Sequence, residues 1–206
     1  MRAIINLSTA KFKKGQERLI KSLKKKTNAD IFLYTAEQQV KAPFHSKNNY
    51  AFKVYAIEAA IKKGYKTILW LDASLFVIKN LDPLFKIIEE KGYFFQDGGY
   101  KNNQWTNQKA KEYFGTDEGD MMAACVIGLN LEDKRTRKFF RLWKKSMKDG
   151  QFNGSWDDFR HDQTCASLIA YKLDMPLFKM NSIFEYGLAE KEPSHENILM
   201  IADGIC

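Results

Sequence analysis

The sequence predicts an α/β fold: a single domain over residues 1–206, with a mostly parallel mixed sheet and helices on both faces. Two observations carry this. Short apolar runs alternate with segments of helical spacing, and the runs are apolar throughout, as strands covered on both faces must be. The length of 206 residues suits one large core, and neither a repeat nor a linker divides it.

The elements follow in order. "AIINL" (Ala3 to Leu7) reads as a buried strand, and "KFKKGQERLIKSLKKK" as a helix with Phe12, Leu19, Ile20 and Leu23 on one face. "DIFLY" (Asp30 to Tyr34) is a second strand, followed by a loop containing Pro43. "NYAFKVYAIEAAIKKG" is a helix, with Val54, Ile57 and Ile61 at helical spacing and Gly64 as its stop. "KTILWL" is the third strand. "LDPLFKIIEEKG" is a helix that Asp82 is placed to cap, with Pro83 suited to its first position and Gly92 to its end. "YFFQD" (Tyr93 to Asp97) reads as a strand, "GGYKNNQWTNQ" as a polar loop, and "MMAACVIGLN" as one buried strand. "LEDKRTRKFFRLWKKSMKDG" and "DDFRHDQTCASLIAYKLD" are helices, and "PLFKM" is a last strand. No terminal element is evident in "IADGIC", so the chain could be a fragment of a longer one.

Hydrophobic residues make up 45% and charged residues 28%, which argues for a folded globule over disorder. The net charge of +8 is concentrated near Lys11 to Lys26, a solvated helix face or a surface attracted to anions such as an acidic membrane. Nucleic acid is not the expected partner. The cysteines, Cys125, Cys165 and Cys206, are odd in number and form no CxxC, which points to a reducing, cytoplasmic setting without a disulfide framework or zinc site. No stretch reaches the ~18 apolar residues of a membrane span, so any membrane contact would be peripheral. There is no P-loop and no GxGxxG, which weakens ATPase and dehydrogenase readings.

The chemistry concentrates at strand ends. "KTILWL" stops on Asp72, with Ser74 two residues on, and "YFFQ" stops on Asp97. In parallel α/β sheets ligands bind just outside the carboxyl ends of the strands, where a carboxylate escapes desolvation. "NLST" places Asn6, Ser8 and Thr9 at the end of the first strand. Lys53 lies on the helix before the Asp-Ala-Ser stretch, and Asp162 and Gln163 open a late apolar helix where Asp162 could equally be a cap. Trp105 and Trp156 sit in polar stretches, and the glycines of "DGGY" would let a ligand approach the backbone.

The order of "YAFKVYAIEAAIKKGY", "KTILWLDASLFVIKNLDPLF", "AACVIGLNLEDKRTRKFFRLWKKS" and "FRHDQTCASLIAYKL" resembles GT-A glycosyltransferases, including small ones of large algal DNA viruses and bacteria. The resemblance runs from about Ala3 to Met180. It implies transfer of a sugar from a nucleotide-diphosphate donor, a UDP-sugar first, to a glycan or glycoconjugate acceptor. It implies donor contacts at Asn6, Ser8, Thr9, Lys53, Asp72, Ser74 and Gln163, and a catalytic carboxylate at Asp162 or Asp97. It also implies Mn²⁺ or Mg²⁺ at an Asp-x-Asp motif, whose second position is here Ser74, a much poorer ligand. Three outcomes stay open: Asp72 holds the metal with help from His195; basic groups such as Lys53 replace the metal; or the domain is catalytically weak. Alternatives of other classes are a non-catalytic sugar-nucleotide or glycan-binding module and a basic binder of anionic surfaces.

Overall fold

The computed structural model describes residues 1–188 and 192–203. The first half contains β1 (Arg2–Leu7), α1 (Lys13–Leu23), β2 (Asp30–Tyr34), α2 (Ala51–Lys62), β3 (Thr67–Leu71), β4 (Leu75–Val77), α3 (Asp82–Lys91) and β5 (Tyr93–Phe94). The second half contains β6 (Asp97–Lys101), α4 (Gln108–Phe114), β7 (Asp120–Met122), β8 (Val126–Asn130), α5 (Lys134–Lys148), α6 (His161–Lys172), β9 (Phe184–Tyr186) and β10 (Met200–Ala202).

The main sheet has the order β2-β1-β3-β8-β5. β1 pairs in parallel with β2 and β3, while β8 runs antiparallel to both β3 and β5. The mixed, mostly parallel sheet is therefore present, with β8 as its one reversed strand. Alternation along the strands divides the core. Ile4, Leu69 and Leu71 face Leu19 and Leu23 of α1 and Leu84, Phe85 and Ile88 of α3. Ile5, Ile68 and Trp70 face α2, α5 and α6 through Val54, Ile57, Phe139, Trp143 and Leu168. Helices cover both faces, so every residue of β3 is buried.

Close packing fixes single positions. Gly128 lies in β8 where an added Cβ would come within 2.6 Å of the Ile88 side chain, so only glycine lets α3 settle on that strand. Gly92 ends α3 at φ +88°, in the left-handed region that a side chain disfavours.

Several expected elements differ. Asp82 does not cap α3: it is the first helical residue, which moves Pro83 from the first to the second position, and its carboxylate pairs with Arg2 at 3.2 Å. Phe12 is not on the buried face of α1 but stands at its N-terminus, 41% exposed. Tyr93 to Asp97 is not one strand, because β5 ends at Phe94 and Asp97 opens β6, paired antiparallel with β7. Buried Gln96 occupies the junction, accepting from the Ile183 and Phe184 N–H groups and donating to the Phe184 carbonyl. The supposed polar loop after it holds β6 and, further on, α4. "MMAACVIGLN" breaks at Ala123 to Cys125, leaving β7 and β8 in different sheets. "PLFKM" supplies one bridge, between Phe178 and Gln96, and no strand. The segment before Gly204 is not featureless: β10 joins β4 and β9 in a three-stranded sheet. Cys206 lies outside the described residues.

Candidate active site

β3 delivers Asp72 to the rim of the sheet. Its backbone N–H still donates to the Cys125 carbonyl at 2.9 Å, and the chain then turns, Leu75 N–H reaching the Asp72 carbonyl at 3.1 Å. One Asp72 oxygen, Oδ1, accepts the Trp70 indole N–H at 2.6 Å. Lys53 sits in the first turn of α2, which Tyr50 opens at φ +56°; Asp162 sits in the first turn of α6, which His161 opens at φ +51°. Left-handed backbone at residues with side chains costs about 1–3 kcal/mol each and persists where surrounding structure imposes it. Here it aims two helix starts at one point.

At that point Lys53 Nζ lies 3.1 Å from Asp162 Oδ2 and 3.4 Å from Asp72 Oδ1, and donates to the Ala124 carbonyl at 3.0 Å. The break between β7 and β8 is what turns that carbonyl toward Lys53. The Lys53 and Asp162 side chains are closed to solvent at 3% and 4% exposure, whereas Asp72 keeps 31%. Burial pulls the ammonium down, but Asp162 and Asp72 outweigh it and hold the Lys53 pKa above the usual lysine value. Burial and then the Asp72 charge push Asp162 up to about 6 against the pull of Lys53. Tyr50, whose ring lies under Nζ at 5.4 Å, is pushed up to about 12 by burial and the Asp162 charge.

A cleft of about 910 Å³ opens above this cluster, within the size range of nucleotide-scale sites. Ser8, Thr9, Lys53, Asp72 and Ser74 line it together. Asn6 does not line it. Its amide donates to the Leu71 carbonyl at 2.7 Å and accepts from Gln16 at 2.6 Å, so it braces β1 against the end of β3 and against α1. Gln163 is half-buried beside Asp162, outside the cleft lining. Asp97 is not brought into the cluster: its Oδ1 accepts the Gly99 N–H at 2.8 Å in the β6 turn. His195 is exposed, with Nε2 2.6 Å from the Asn181 carbonyl, and does not join Asp72. Trp156 lines the cleft and, with Trp105, sandwiches the Arg160 guanidinium at 4.8 and 3.2 Å.

Sequence reasoning did not name several wall residues. Lys11, Phe12, Phe44, His45 and Tyr50 line the cleft, and the aromatic-rich "FHSKNNY" just before Lys53 was the available signal. The support behind Ser74 had no local signal. Its carbonyl accepts from Arg18 at 3.0 Å and from the Asp203 N–H at 2.9 Å, and Arg18 pairs with Asp203 at 2.6 Å.

The residues present do not form a ready divalent-cation site. Asp72 Oδ1 is engaged by Trp70 and faces the Lys53 ammonium, Ser74 offers a neutral hydroxyl, and His195 is elsewhere. Among the described residues no three His, Cys, Asp or Glu side chains gather to hold an ion.

The comparisons with known proteins agree with this architecture. The structure is similar to the crystal structure of mouse xyloside xylosyltransferase 1 in its apo form, with a TM-score of 0.60 and 11% identity over 100% of this chain and 98% of that one. At that identity the likeness concerns the GT-A fold. No curated protein sequence matches significantly. Among the described residues no helix is long and apolar enough to cross a membrane. Residues 4–195 match the profile of glycosyl transferase family 8, whose members generally use divalent metal ions. With the sheet, the strand-end carboxylates and this match over most of its length, the chain belongs to glycosyl transferase family 8 and is a glycosyltransferase of GT-A fold.

Proposed function

We propose that the enzyme takes its sugar from a nucleotide-diphosphate donor, a UDP-sugar first, and passes it to a hydroxyl of a glycan or glycoconjugate. The observation that carries this is the Lys53 ammonium in the cleft wall, held between Asp72, which also lines the cleft, and Asp162, which lies closed to solvent behind them and outside the lining. In the transfer, the bond from the anomeric carbon to the diphosphate oxygen breaks. A bond to the acceptor oxygen forms, and the acceptor hydroxyl loses its proton. Ser8 and Thr9, at the end of β1, offer hydroxyls and backbone groups to the base and ribose. Asp72, the more open carboxylate, accepts hydroxyls of the ribose or the donor sugar. Asp162 is ionised at neutral pH with a pKa near 6, and it binds sugar hydroxyls or takes the acceptor proton.

Lys53 is a positioning residue in this scheme. Its ammonium donates to the Ala124 carbonyl and is compensated by the Asp162 and Asp72 carboxylates at 3.1 and 3.4 Å, so its charge is already engaged. Lys11, exposed at the cleft mouth, is better placed to offset the leaving-group charge. Free Cys125 and Cys165 accord with a reducing, cytoplasmic setting.

Ser74 favours a second reading, in which the domain binds the sugar nucleotide without turnover. Calorimetric titration with UDP and GDP, each with and without Mn²⁺, followed by a panel of UDP-sugars with mass-spectrometric product detection, separates the two. UDP binding with sugar release or transfer supports the first reading, and UDP binding without turnover supports the second. No nucleotide binding under either condition overturns both.

A further inference from the structure

We propose that helix α1 and the aromatic rim of the cleft form a docking face for an anionic phospholipid bilayer, so that the cleft opens beside a membrane. The acceptor would then be anchored in that membrane, a corollary that rests on the sugar-transfer reading; the docking itself does not.

The face begins with charge. α1 buries Leu19 and Leu23 and turns Lys13, Lys14, Glu17 and Lys21 outward, with exposed Lys11, Lys24 and Lys25 flanking it. Glu17, the only acid in the segment, faces Lys13 at 3.9 Å. Among the described residues Lys11, Lys14, Lys21, Lys24 and Lys25 have no ion-pair partner. A surface concavity of about 560 Å³, lined by Arg18, Ile20, Lys21 and Lys24 with Glu17, offers space for a phosphate headgroup. Apolar side chains complete the face. At the N-terminal end of α1, Phe12 and Phe44 stand 41% and 54% exposed at the cleft mouth, beside Lys11. Exposed benzyl groups next to lysines suit the boundary between headgroups and acyl chains, where charge attraction and apolar insertion add.

The molecule contains its own comparison. α5 is also basic, and Lys134, Lys138, Arg141, Lys145 and Lys148 recur at helical spacing along it. The large exposed aromatic beside α5 is Tyr113, 38% exposed, whose ring lies 5.9 Å from Lys145 Nζ and whose hydroxyl donates to Asp149, whereas Phe12 and Phe44 at the start of α1 carry no polar tip. A partner that reads charge alone, such as a nucleic acid, would use α5 at least as well. A bilayer that also takes up apolar side chains selects α1.

The test is co-sedimentation of the full chain with vesicles of phosphatidylcholine alone or with about one third phosphatidylserine, at low and physiological salt. Binding to the anionic vesicles, weakened by salt and absent from the neutral ones, is expected. Combining Lys14→Glu, Lys21→Glu and Lys24→Glu should lower partitioning by more than about a hundredfold, since losing each lysine near the surface costs roughly fivefold and each added carboxylate is repelled as well. The matched set Lys134→Glu, Lys138→Glu and Arg141→Glu should leave it nearly unchanged. Circular dichroism verifies that both variants are folded. Failure to bind anionic vesicles at low salt overturns the proposal. So does an equal loss from both charge sets, or preference for a DNA duplex over vesicles in competition. UDP and GDP calorimetry on the same wild-type preparation separates the two claims: vesicle binding without nucleotide binding leaves docking standing and removes the nucleotide-donor reading, and the reverse removes docking alone.

Discussion

Lys53 Nζ and Asp162 Oδ2 lie 3.1 Å apart with both side chains closed to solvent, although 109 positions separate them in sequence (162 − 53). Taking either charge out of water alone is costly, so each is stable there because the other is present. Lys53→Met should therefore destabilise the fold by about 3–5 kcal/mol, because it leaves a buried carboxylate unpaired. The midpoint of urea unfolding measures this. A shift of only a few tenths of a kcal/mol would show that Asp162 finds another partner.

The raised pKa of Asp162 has opposite consequences for activity and stability. If the ionised form acts on the sugar, kcat should climb as pH rises through about 6 and level off above it. Stability runs the other way. The folded state holds the proton more tightly than an unfolded Asp of pKa about 3.9, so this group's contribution is complete below about pH 4 and lost as pH rises through about 6. Asp162→Asn should lower kcat by about 10²–10⁴-fold and remove that fall from the unfolding free energy measured between pH 4 and pH 7. An unchanged acid limb in an active variant would take Asp162 out of the chemistry.

Trp70 holds Asp72 from below through the indole N–H at 2.6 Å. Trp70→Phe keeps an aromatic ring in the core but removes that donor, a bond to a charged group worth about 1.5–3 kcal/mol. UDP affinity should fall about tenfold, the equivalent of about 1.4 kcal/mol, as Asp72 loses its fixed orientation. Calorimetry on the folded variant reads it directly, and wild-type affinity would mean that Asp72 is held well enough by other contacts.

Asn6 separates support from contact. Asn6→Leu leaves the Leu71 carbonyl without its side-chain donor and the Gln16 amide with the Tyr34 carbonyl alone, and should cost about 1–3 kcal/mol of stability. UDP affinity should not change while the variant remains folded. A selective loss of UDP binding at wild-type stability would return Asn6 to the donor site.

Ser74→Asp restores a second carboxylate at the turn after β3. Mn²⁺ affinity, read by calorimetry, should rise over wild type, because an oxygen anion replaces a hydroxyl in reach of Asp72. No gain would indicate that Lys53 keeps Asp72 from serving as a ligand.

Much of the architecture was legible because local pattern and global fold agree. The apolar run ending on Asp72, the Lys53 helix with its glycine stop, and Asp162 at a helix start are each written within a few residues. What local pattern does not encode is which polar groups the backbone consumes. Asn6 looks like a ligand contact at a strand end, yet the Leu71 carbonyl and Gln16 take its amide. The Ala123 to Cys125 break is invisible in a continuous apolar run, since periodicity reports burial and not the sheet to which a strand belongs. β10 is three residues long, and its pairing with β4 links segments far apart in sequence. His195 was suggested by its place in the tail, where the resemblance implies a metal-binding histidine, and the fold sends it to the Asn181 carbonyl.

The bond from the Asp203 N–H to the Ser74 carbonyl, beside the Arg18–Asp203 pair, also sets an order of events during synthesis. The sheet strands β1, β2, β3, β5 and β8 all end by Asn130, while α5 and α6, which cover one face of the sheet, complete the core only by Lys172. The turn carrying Asp72 and Ser74 still lacks its backing until residue 203 has emerged. A chain cut short before Asp203 would thus keep its sheet and helices while the turn at one wall of the cleft stays unbraced.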